Sequence, residues 1–313
     1  NGFGRRFNDS TPFSYSKANT KMNKKNIGYL LILPGFTFYL AFHLIPIIGA
    51  FYISFFSWRV ISPSGGIFVG LENYIDLFSD RIFLLALKHS VVFVGLSMII
   101  QVPLALLLAV LLGLNLRLSK FFRGVYFVPL LMSFVVVGLL FNFIFSSTVG
   151  TLNNFLRAIG LGRFAGEWLG DPKKALYIII LVQVWKEFGL SMLLFVAGLQ
   201  GIPNNLYESA KLDGANAWQC FRSITIPLLR EVIAVVSVLV MIISFKVFAL
   251  VYTMTAGGPF YATEVLGTYL YNKAFTLMRM GYASSIAGML FLIVFSLAFF
   301  QSWVKGKRGT IEY

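Results

Sequence analysis

Four polar residues, Gln183, Lys186, Glu187 and Ser191, lie at helical spacing inside a long apolar run. Residues three or four positions apart share one face of a helix, and Lys186 and Glu187 fall near the middle of the run. If the run crosses a membrane, polar groups at that depth are expensive in lipid and tend to face a solute pathway. Packing between helices, or a lysine and a glutamate that neutralise each other, would explain the same pattern.

Other chemistries find little support in the residue types. The two histidines, His43 and His89, lie in different apolar runs without clustered carboxylates, and Cys220 is the only cysteine. Neither an intrachain disulfide nor a metal site is predicted, and an integral-membrane enzyme is disfavoured. The sequence has no Gly-x-x-x-x-Gly-Lys-Ser/Thr pattern, so no ATP-binding loop is predicted in this chain.

The composition is that of a membrane protein. Hydrophobic residues make up 58% of the 313 residues and charged residues 12%, and the apolar runs are long enough to cross a bilayer as helices. We therefore predict an all-α polytopic fold with six transmembrane helices. The predicted spans are residues 27–58, 90–114, 121–145, 175–199, 232–255 and 282–304. Pro34 and Pro46 predict a tilt or kink in the first span.

The net charge of +14 is attributed to basic loops that meet anionic headgroups. Nucleic-acid binding is disfavoured, because no basic, aromatic-interleaved stretch outside the apolar runs is long enough to form a binding domain. The clustered basic residues are Arg5, Arg6, Lys17, Lys21, Lys24 and Lys25, then Arg117, Lys120 and Arg123, and finally Lys305, Lys307 and Arg308. The positive-inside rule makes these segments cytoplasmic.

The domain organisation follows from this orientation. Residues 1–26 and 305–313 are predicted to be a cytoplasmic N-terminal segment and a cytoplasmic tail. They flank a transmembrane domain of residues 27–304, and by alternation its loop 200–230 is also cytoplasmic.

The sequence YESAKLDGANAWQCFRSITIPLLR, residues 207–230, is unusually polar for this chain. Its composition predicts a helix, a bend at Gly214 and a second short helix. An amphipathic linker that rests on headgroups is the alternative. A connection this long and this prone to helix usually presents a surface to something.

This loop resembles the EAA loop of the membrane subunits of ABC importers. The resemblance is carried by Glu208-Ser209-Ala210, Asp213-Gly214-Ala215, Phe221 and Ile224-Thr225-Ile226-Pro227. Ser209 departs from the middle alanine of the motif and Ile226 from its leucine. The sequences FALVYTMTAGGP, residues 248–259, and FVGLENY, residues 68–74, resemble the carbohydrate-uptake branch, which includes the larger maltose-transporter membrane subunit and glycerol-phosphate permeases. Together the resemblances extend over about residues 27–304.

The resemblance implies that the loop couples this chain to a cytoplasmic ATPase. The implied coupling residues are Glu208, Ser209, Ala210, Asp213, Gly214, Phe221 and Pro227. Glu208 is expected near a helix N-terminus, where a negative charge is favourable. Gly214 is expected to permit either positive φ or a close approach to a partner.

The resemblance also implies a substrate site near the middle of the membrane. Lys186, Glu187, Leu190, Val240, Ile243, Ser244 and Val247 correspond to sugar-lining positions of the maltose relative, and Gln183 and Tyr252 extend the predicted pathway. Trp185, Phe188 and Tyr252 offer aromatic faces to a saccharide. Lys186, and Lys246 nearby on the fifth span, would suit an acidic sugar or serve packing or salt pairing.

We therefore predict the permease subunit of a bacterial ATP-driven importer of a sugar or oligosaccharide, located in the cytoplasmic membrane. The implied partners are an ATPase dimer that binds ATP and Mg, a second membrane subunit, either a homologue or a copy, and an extracytoplasmic solute-binding protein. An importer of a glycerol phosphate ester and an ion-gradient-driven secondary transporter are the alternatives.

Overall fold

The computed structural model describes residues 24–59, 66–113 and 119–306. Most of the predicted N-terminal segment and tail therefore lies outside the described residues. The chain divides into two units, Asn1–Gly49 and Ala50–Tyr313.

The first unit contains two consecutive helices joined by a π-helical turn. Helix α1 is Lys24–Tyr39, the turn is Leu40–Leu44, and α2, Ile45–Ser54, begins in this unit and ends in the second. The π turn ends two residues before Pro46, whose nitrogen cannot donate to the carbonyl four residues earlier. Large apolar side chains such as Leu31 and Ile32 are exposed, as expected of a helix that faces lipid.

The second unit is almost entirely helical. Its strands are β1, Phe56–Ser57, and β2, Ile67–Phe68. Its helices are α3, Glu72–Ser79; α4, Arg81–Gly113; α5, Ser119–Leu131; α6, Phe134–Ile144; α7, Thr151–Ala158; α8, Ala175–Gln200; α9, Asn204–Leu212; α10, Ala217–Cys220; α11, Ile226–Leu228; α12, Arg230–Phe245; α13, Ala249–Thr255; α14, Leu266–Tyr271; and α15, Met280–Gly306. A 3₁₀ turn covers Gly162–Phe164, and π turns cover Phe221–Thr225 and Asn272–Thr276.

The two strands form a short antiparallel ladder in which Phe56 pairs with Phe68. The buried amide of Asn73 on α3 donates to the carbonyls of Ser54, at 2.8 Å, and Phe56, at 3.0 Å. This hairpin ends the predicted first span, 27–58, before its last residues, because the chain leaves the helix after Ser54 to form β1.

Four helices in the described residues are long and apolar enough to cross a membrane, or up to six if each of two bent pairs is one span. The four are Leu31–Ser54, Arg81–Leu112, Ala175–Gln200 and Met280–Gln301. The predicted span 175–199 matches α8 to within one residue. The helix predicted over 90–114 begins nine residues earlier, because Asp80 caps it by accepting the N–H of Ile82 at 2.9 Å. The all-α class is confirmed, and the number six stays a prediction.

Two predicted spans are not straight helices. In the third, predicted over 121–145, Gly124–Leu131 and Phe134–Ile144 meet at 103°. Ser133 caps the second of these helices by accepting the N–H of Val135. In the fifth, predicted over 232–255, helical structure stops at Phe245 and resumes at Ala249. Continuous apolar composition records neither break.

Helix α8 is the centre of the packing. In its most apolar window 72% of the residues are buried, against 28% or less in the other three candidate spans. Its residues belong to two core clusters, one shared with α4, α6 and α13 and the other with α4 and α12. Because α8 is surrounded by other helices, its polar residues face protein rather than lipid.

Candidate functional site

The polar face predicted on α8 is buried, and two of its four residues pair with each other. Gln183, Lys186, Glu187 and Ser191 are each no more than 5% exposed. The Nζ of Lys186 donates to Oε1 of Glu187 at 2.8 Å and lies 3.9 Å from the ring centroid of Phe134. The self-neutralising pair, one alternative left open by the sequence, is therefore present in this structure.

A second polar contact ties α8 to α4. Nε2 of Gln101 donates to Oγ of Ser191 at 2.9 Å. Oε1 of Gln183 on α8 and Oγ of Ser97 on α4 are buried without a hydrogen-bond partner among the described residues. Buried polar atoms without partners are uncommon in proteins, so the α4–α8 pair retains hydrogen-bonding capacity for water or a solute.

The remaining predicted pathway residues differ in their exposure. Val240, Ser244 and Val247 are buried, Leu190 and Ile243 are partly exposed, and Tyr252 is exposed. Burial alone does not place these side chains along one passage, and the pathway stays a prediction.

An apolar cavity of about 410 Å³ lies beside α8. Trp185 and Phe188, both predicted as faces for a sugar, line it together with Val125, Tyr126, Val128, Pro129 and Met132. The ring of Phe188 packs edge-on against Tyr126, with centroids 5.5 Å apart. This cavity has hydrophobic and aromatic walls, as small-molecule sites commonly do.

The loop 200–230 forms the predicted helix, bend and second helix. Gly214 adopts φ +81° between α9 and α10, as predicted. Asn216 and Gln219 then form a capping box that starts α10, with N–H to oxygen distances of 2.7 and 2.9 Å. The hydroxyls of Tyr207 on α9 and Thr225 in the π turn lie 3.0 Å apart. The two helical parts are thereby held to each other.

The residues predicted for coupling differ in their exposure. Glu208, Ser209, Asp213, Gly214 and Pro227 are exposed, whereas Ala210 and Phe221 are partly buried. One expectation was wrong: α9 begins at Asn204, so Glu208 is its fifth residue and no acid occupies the first turn. The favourable helix-dipole effect assigned to Glu208 therefore does not apply, because that effect fades within the first turn.

Sequence reasoning missed Leu212, which is 89% exposed at the end of α9. At 100° per residue, Leu212 shares a helix face with Glu208 and Ser209. We call these three residues the α9 face. The only sequence signal for Leu212 was an apolar residue in a polar loop. The Glu208 carboxylate on this face could accept charge-assisted hydrogen bonds from a basic residue of a partner.

Sequence reasoning also missed a polar cluster around Asp80. Its Oδ2 accepts the hydroxyls of Tyr269 and of Tyr282, the latter at 2.7 Å. Nζ of Lys273 lies 3.7 Å from the same oxygen. Burial alone raises the pKa of Asp80, but these hydroxyls and the backbone N–H groups of the α4 terminus outweigh it and hold the pKa below its usual value. Burial, and after it the hydrogen bond to Asp80, raises the pKa of Tyr269.

The sequence around Gly257-Gly258-Pro259 forms a tight turn. Ala256, Gly257, Phe260 and Tyr261 have positive φ. Oγ1 of Thr263 lies 2.7 Å from that of Thr255 and donates to the carbonyl of Gly258 at 2.6 Å. Burial raises the pKa of the neighbouring Glu264 carboxyl. Positive φ values and threonine hydrogen bonds thus define the conformation of this turn.

No group of three or more His, Cys, Asp or Glu residues that could hold a metal ion occurs in residues 24–59, 66–113 and 119–306. The described residues combine long apolar helices, a buried polar face on α8 and an exposed helix–turn–helix within loop 200–230.

Residues 101–308 match the family described as "Binding-protein-dependent transport system inner membrane component". The chain belongs to this family, and the predicted resemblance is confirmed. It is 41% identical to the probable ABC transporter permease protein YurN of Bacillus subtilis (strain 168), over 88% of this chain and 95% of that protein. It is 34% identical to the lactose transport system permease protein LacF of Rhizobium radiobacter, over 90% and 94%.

The fold is similar to a solved structure as well. That structure is of a bacterial ABC transporter involved in the import of the acidic polysaccharide alginate. The TM-score is 0.80 and the identity 26%, over 91% of this chain and 96% of the matched chain. The protein is thus a membrane permease component of an ABC transport system.

Proposed function

We propose that this chain is the membrane subunit of an ATP-driven importer of a saccharide, and that α9 transmits the motion of a separate ATPase to it. The exposed α9 face, held on a capped helix–turn–helix, is the observation that carries the proposal. Relatives named for lactose, and a solved structure titled for alginate, support a saccharide.

The proposed assembly has four kinds of component. Two cytoplasmic ATPase subunits bind ATP and Mg, and this chain supplies no catalytic residue for hydrolysis. A second permease subunit, either a homologue or another copy, faces this one. A solute-binding protein delivers the saccharide from outside. Both termini and loop 200–230 are then cytoplasmic.

Loop 200–230, which we call the coupling segment, is suited to act as a lever. It moves as a unit because the Tyr207–Thr225 contact and the capping box restrain it. Beyond Leu228 the chain bends by 68° into α12, and α12 packs on α4 and α8. Displacement of α9 by the ATPase would therefore move α12 and, through it, α8 with its buried polar face. Alternating access requires a movement of this kind.

The α8 polar residues then belong to the pathway in at least one state of the cycle. In this structure Lys186 and Glu187 satisfy each other, so a neutral saccharide would meet Gln183, Ser191 and the aromatic wall of Trp185 first. Pathway residues remain part of the proposal.

The test is uptake into proteoliposomes that carry the complete complex, with ATP inside and a loaded binding protein outside. Uptake of a labelled oligosaccharide that needs both ATP and the binding protein, and that persists when ionophores collapse ion gradients, is the expected result. Uptake that follows an ion gradient without ATP would instead identify a secondary transporter.

A further inference from the structure

Helical structure is interrupted between α12, which ends at Phe245, and α13, which begins at Ala249. This break lies within the predicted membrane interior. Residue 246 lies sixteen residues beyond Arg230, or about 24 Å at 1.5 Å per residue, within a hydrocarbon core of about 30 Å. Non-helical backbone at this depth is tolerated where it is buried in protein or lines a water-filled cavity. Val247 is buried and its carbonyl packs so closely on Gly267 that a Cβ there would lie 2.6 Å away. Lys246, next to it, is exposed.

Lys246 is available to an anion, unlike Lys186, the lysine predicted for the pathway. The ion pairs of the described residues involve Lys174, Lys186 and Lys273, so no described carboxylate neutralises Lys246. A charged amine that faces lipid inside the bilayer is unfavourable, whereas one that faces an aqueous pathway is stable and able to bind a carboxylate.

An array of aromatic side chains follows Lys246. Phe248 stacks on Tyr252 with ring centroids 5.3 Å apart, and both lie 5.1 Å from Tyr271. Tyr271 lies 5.1 Å from Phe275. Tyr252 is 44% exposed and Phe275 54% exposed. Aromatic rings with phenol hydroxyls combine an apolar face with a hydrogen-bonding tip, which suits the apolar faces and hydroxyls of a sugar ring.

We propose that Lys246 and the array of Phe248, Tyr252, Tyr271 and Phe275 form a binding surface for oligosaccharides that carry carboxylates, such as uronic-acid oligosaccharides. The inference rests on the proposed saccharide-importing function and names the substrate class. Lys246 binds the carboxylate, and the aromatic array contacts the sugar rings. The charge preference belongs to Lys246 because Glu187 already neutralises Lys186.

The test uses two probes of the same length and linkage, a uronic-acid trisaccharide and its carboxyl-reduced, neutral counterpart. Calorimetry measures the affinity of the complete, nucleotide-free complex for each. We expect the wild type to favour the acidic probe and Lys246→Gln to reduce the acidic-to-neutral affinity ratio at least tenfold. Lys246→Arg should retain most of the ratio.

Two further variants separate charge from stacking. Lys173→Gln removes an exposed lysine in the loop before α8 and should leave the ratio unchanged. Tyr252→Ala should weaken both probes by similar factors, because it removes an aromatic face and no charge.

An affinity ratio that Lys246→Gln does not change would overturn the inference, as would a wild-type complex that binds neither probe or favours the neutral one. The importer function is judged separately, by ATP-dependent uptake of any saccharide in the proteoliposome assay. A complex that imports a neutral saccharide but ignores the acidic probe disproves this inference and leaves that function standing.

Discussion

At the scale of single residues, the ion pair of Lys186 and Glu187 neutralises the charges on the buried polar face of α8. Both side chains are almost fully buried and bond at 2.8 Å. Removing one partner of a buried ion pair leaves an uncompensated charge, which costs about 3–5 kcal/mol, whereas replacing both is often neutral. Sequence alone had proposed Lys186 as a contact for substrate. The structure makes it first a partner of Glu187.

Lys186→Met should therefore lower the thermal unfolding midpoint of the purified complex, and adding Glu187→Gln should restore most of it. The expected loss has the size of a broken buried pair. The midpoint is read from intrinsic fluorescence during heating. If the double variant is less stable than Lys186→Met, the two residues do not neutralise each other and the pairing is refuted.

A second residue-scale prediction concerns Asp80. Because its pKa is held below the ordinary value of 3.8, the folded state gains stability above that pH and loses it as the pH falls lower. The unfolding midpoint of the wild type should drop between pH 6 and pH values below about 4. Asp80→Asn should have a lower midpoint at pH 6 and a weaker dependence on acid.

The control for Asp80 is Asp76→Asn, because Asp76 is exposed on the neighbouring helix α3. It should follow the wild-type curve. Parallel curves for Asp80→Asn and the wild type would show that the carboxylate does not stabilise the ends of α4 and α14.

At the scale of elements, Gly214 sets the bend between α9 and α10, the two helices of the proposed lever. Its φ of +81° is unfavourable for other residues, although a Cβ there would meet no atom within 4 Å. The effect of substitution is therefore one of backbone conformation, about 1–2 kcal/mol for a residue with a side chain. Gly214→Val should weaken ATPase retention in a pull-down, while Gly214→Asn should be milder, since asparagine tolerates this region. Equal retention in both variants would mean that the turn does not need positive φ.

The elements also show what the sequence could predict. The ends of α8 were predicted to within one residue because its apolar run is bounded by Lys174 and Gly201. The positive φ of Gly214 was predicted because glycine is the residue that reaches it freely. The 103° bend before Phe134 was not predicted. Hydropathy indicates which residues avoid water but not the direction in which the chain runs.

The rest of the site depended on tertiary contacts. The break at residues 246–248 contains neither glycine nor proline, so no local signal marks it. The pairing of Asp80 with Tyr269 joins residues 189 positions apart, and the exposure of Leu212 depends on which face of α9 packs inward. Neither follows from spacing along one chain.

At the scale of the whole molecule, the proposed function makes this chain one component of an assembly in which other subunits hydrolyse ATP. Purified without partners, it should neither bind nor hydrolyse ATP, because the sequence has no phosphate-binding loop. Nucleotide binding and phosphate release are measured on the isolated subunit. Turnover that persists after removal of contaminating ATPases would contradict this division of labour.

The central claim, that the α9 face transmits ATPase motion, is tested by Glu208→Lys in proteoliposomes carrying the complete complex. The measured quantity is the ratio of saccharide uptake to ATP hydrolysis, with ATPase retention checked by pull-down. A charge-assisted contact is worth about 1.5–3 kcal/mol, so its loss should weaken docking roughly tenfold to a hundredfold. The control Glu72→Lys makes the same charge change at an exposed position outside the coupling segment.

We predict that Glu208→Lys abolishes most uptake, either by releasing the ATPase or by leaving hydrolysis uncoupled, while Glu72→Lys resembles the wild type. Normal uptake, normal hydrolysis and normal ATPase retention in Glu208→Lys would contradict the account.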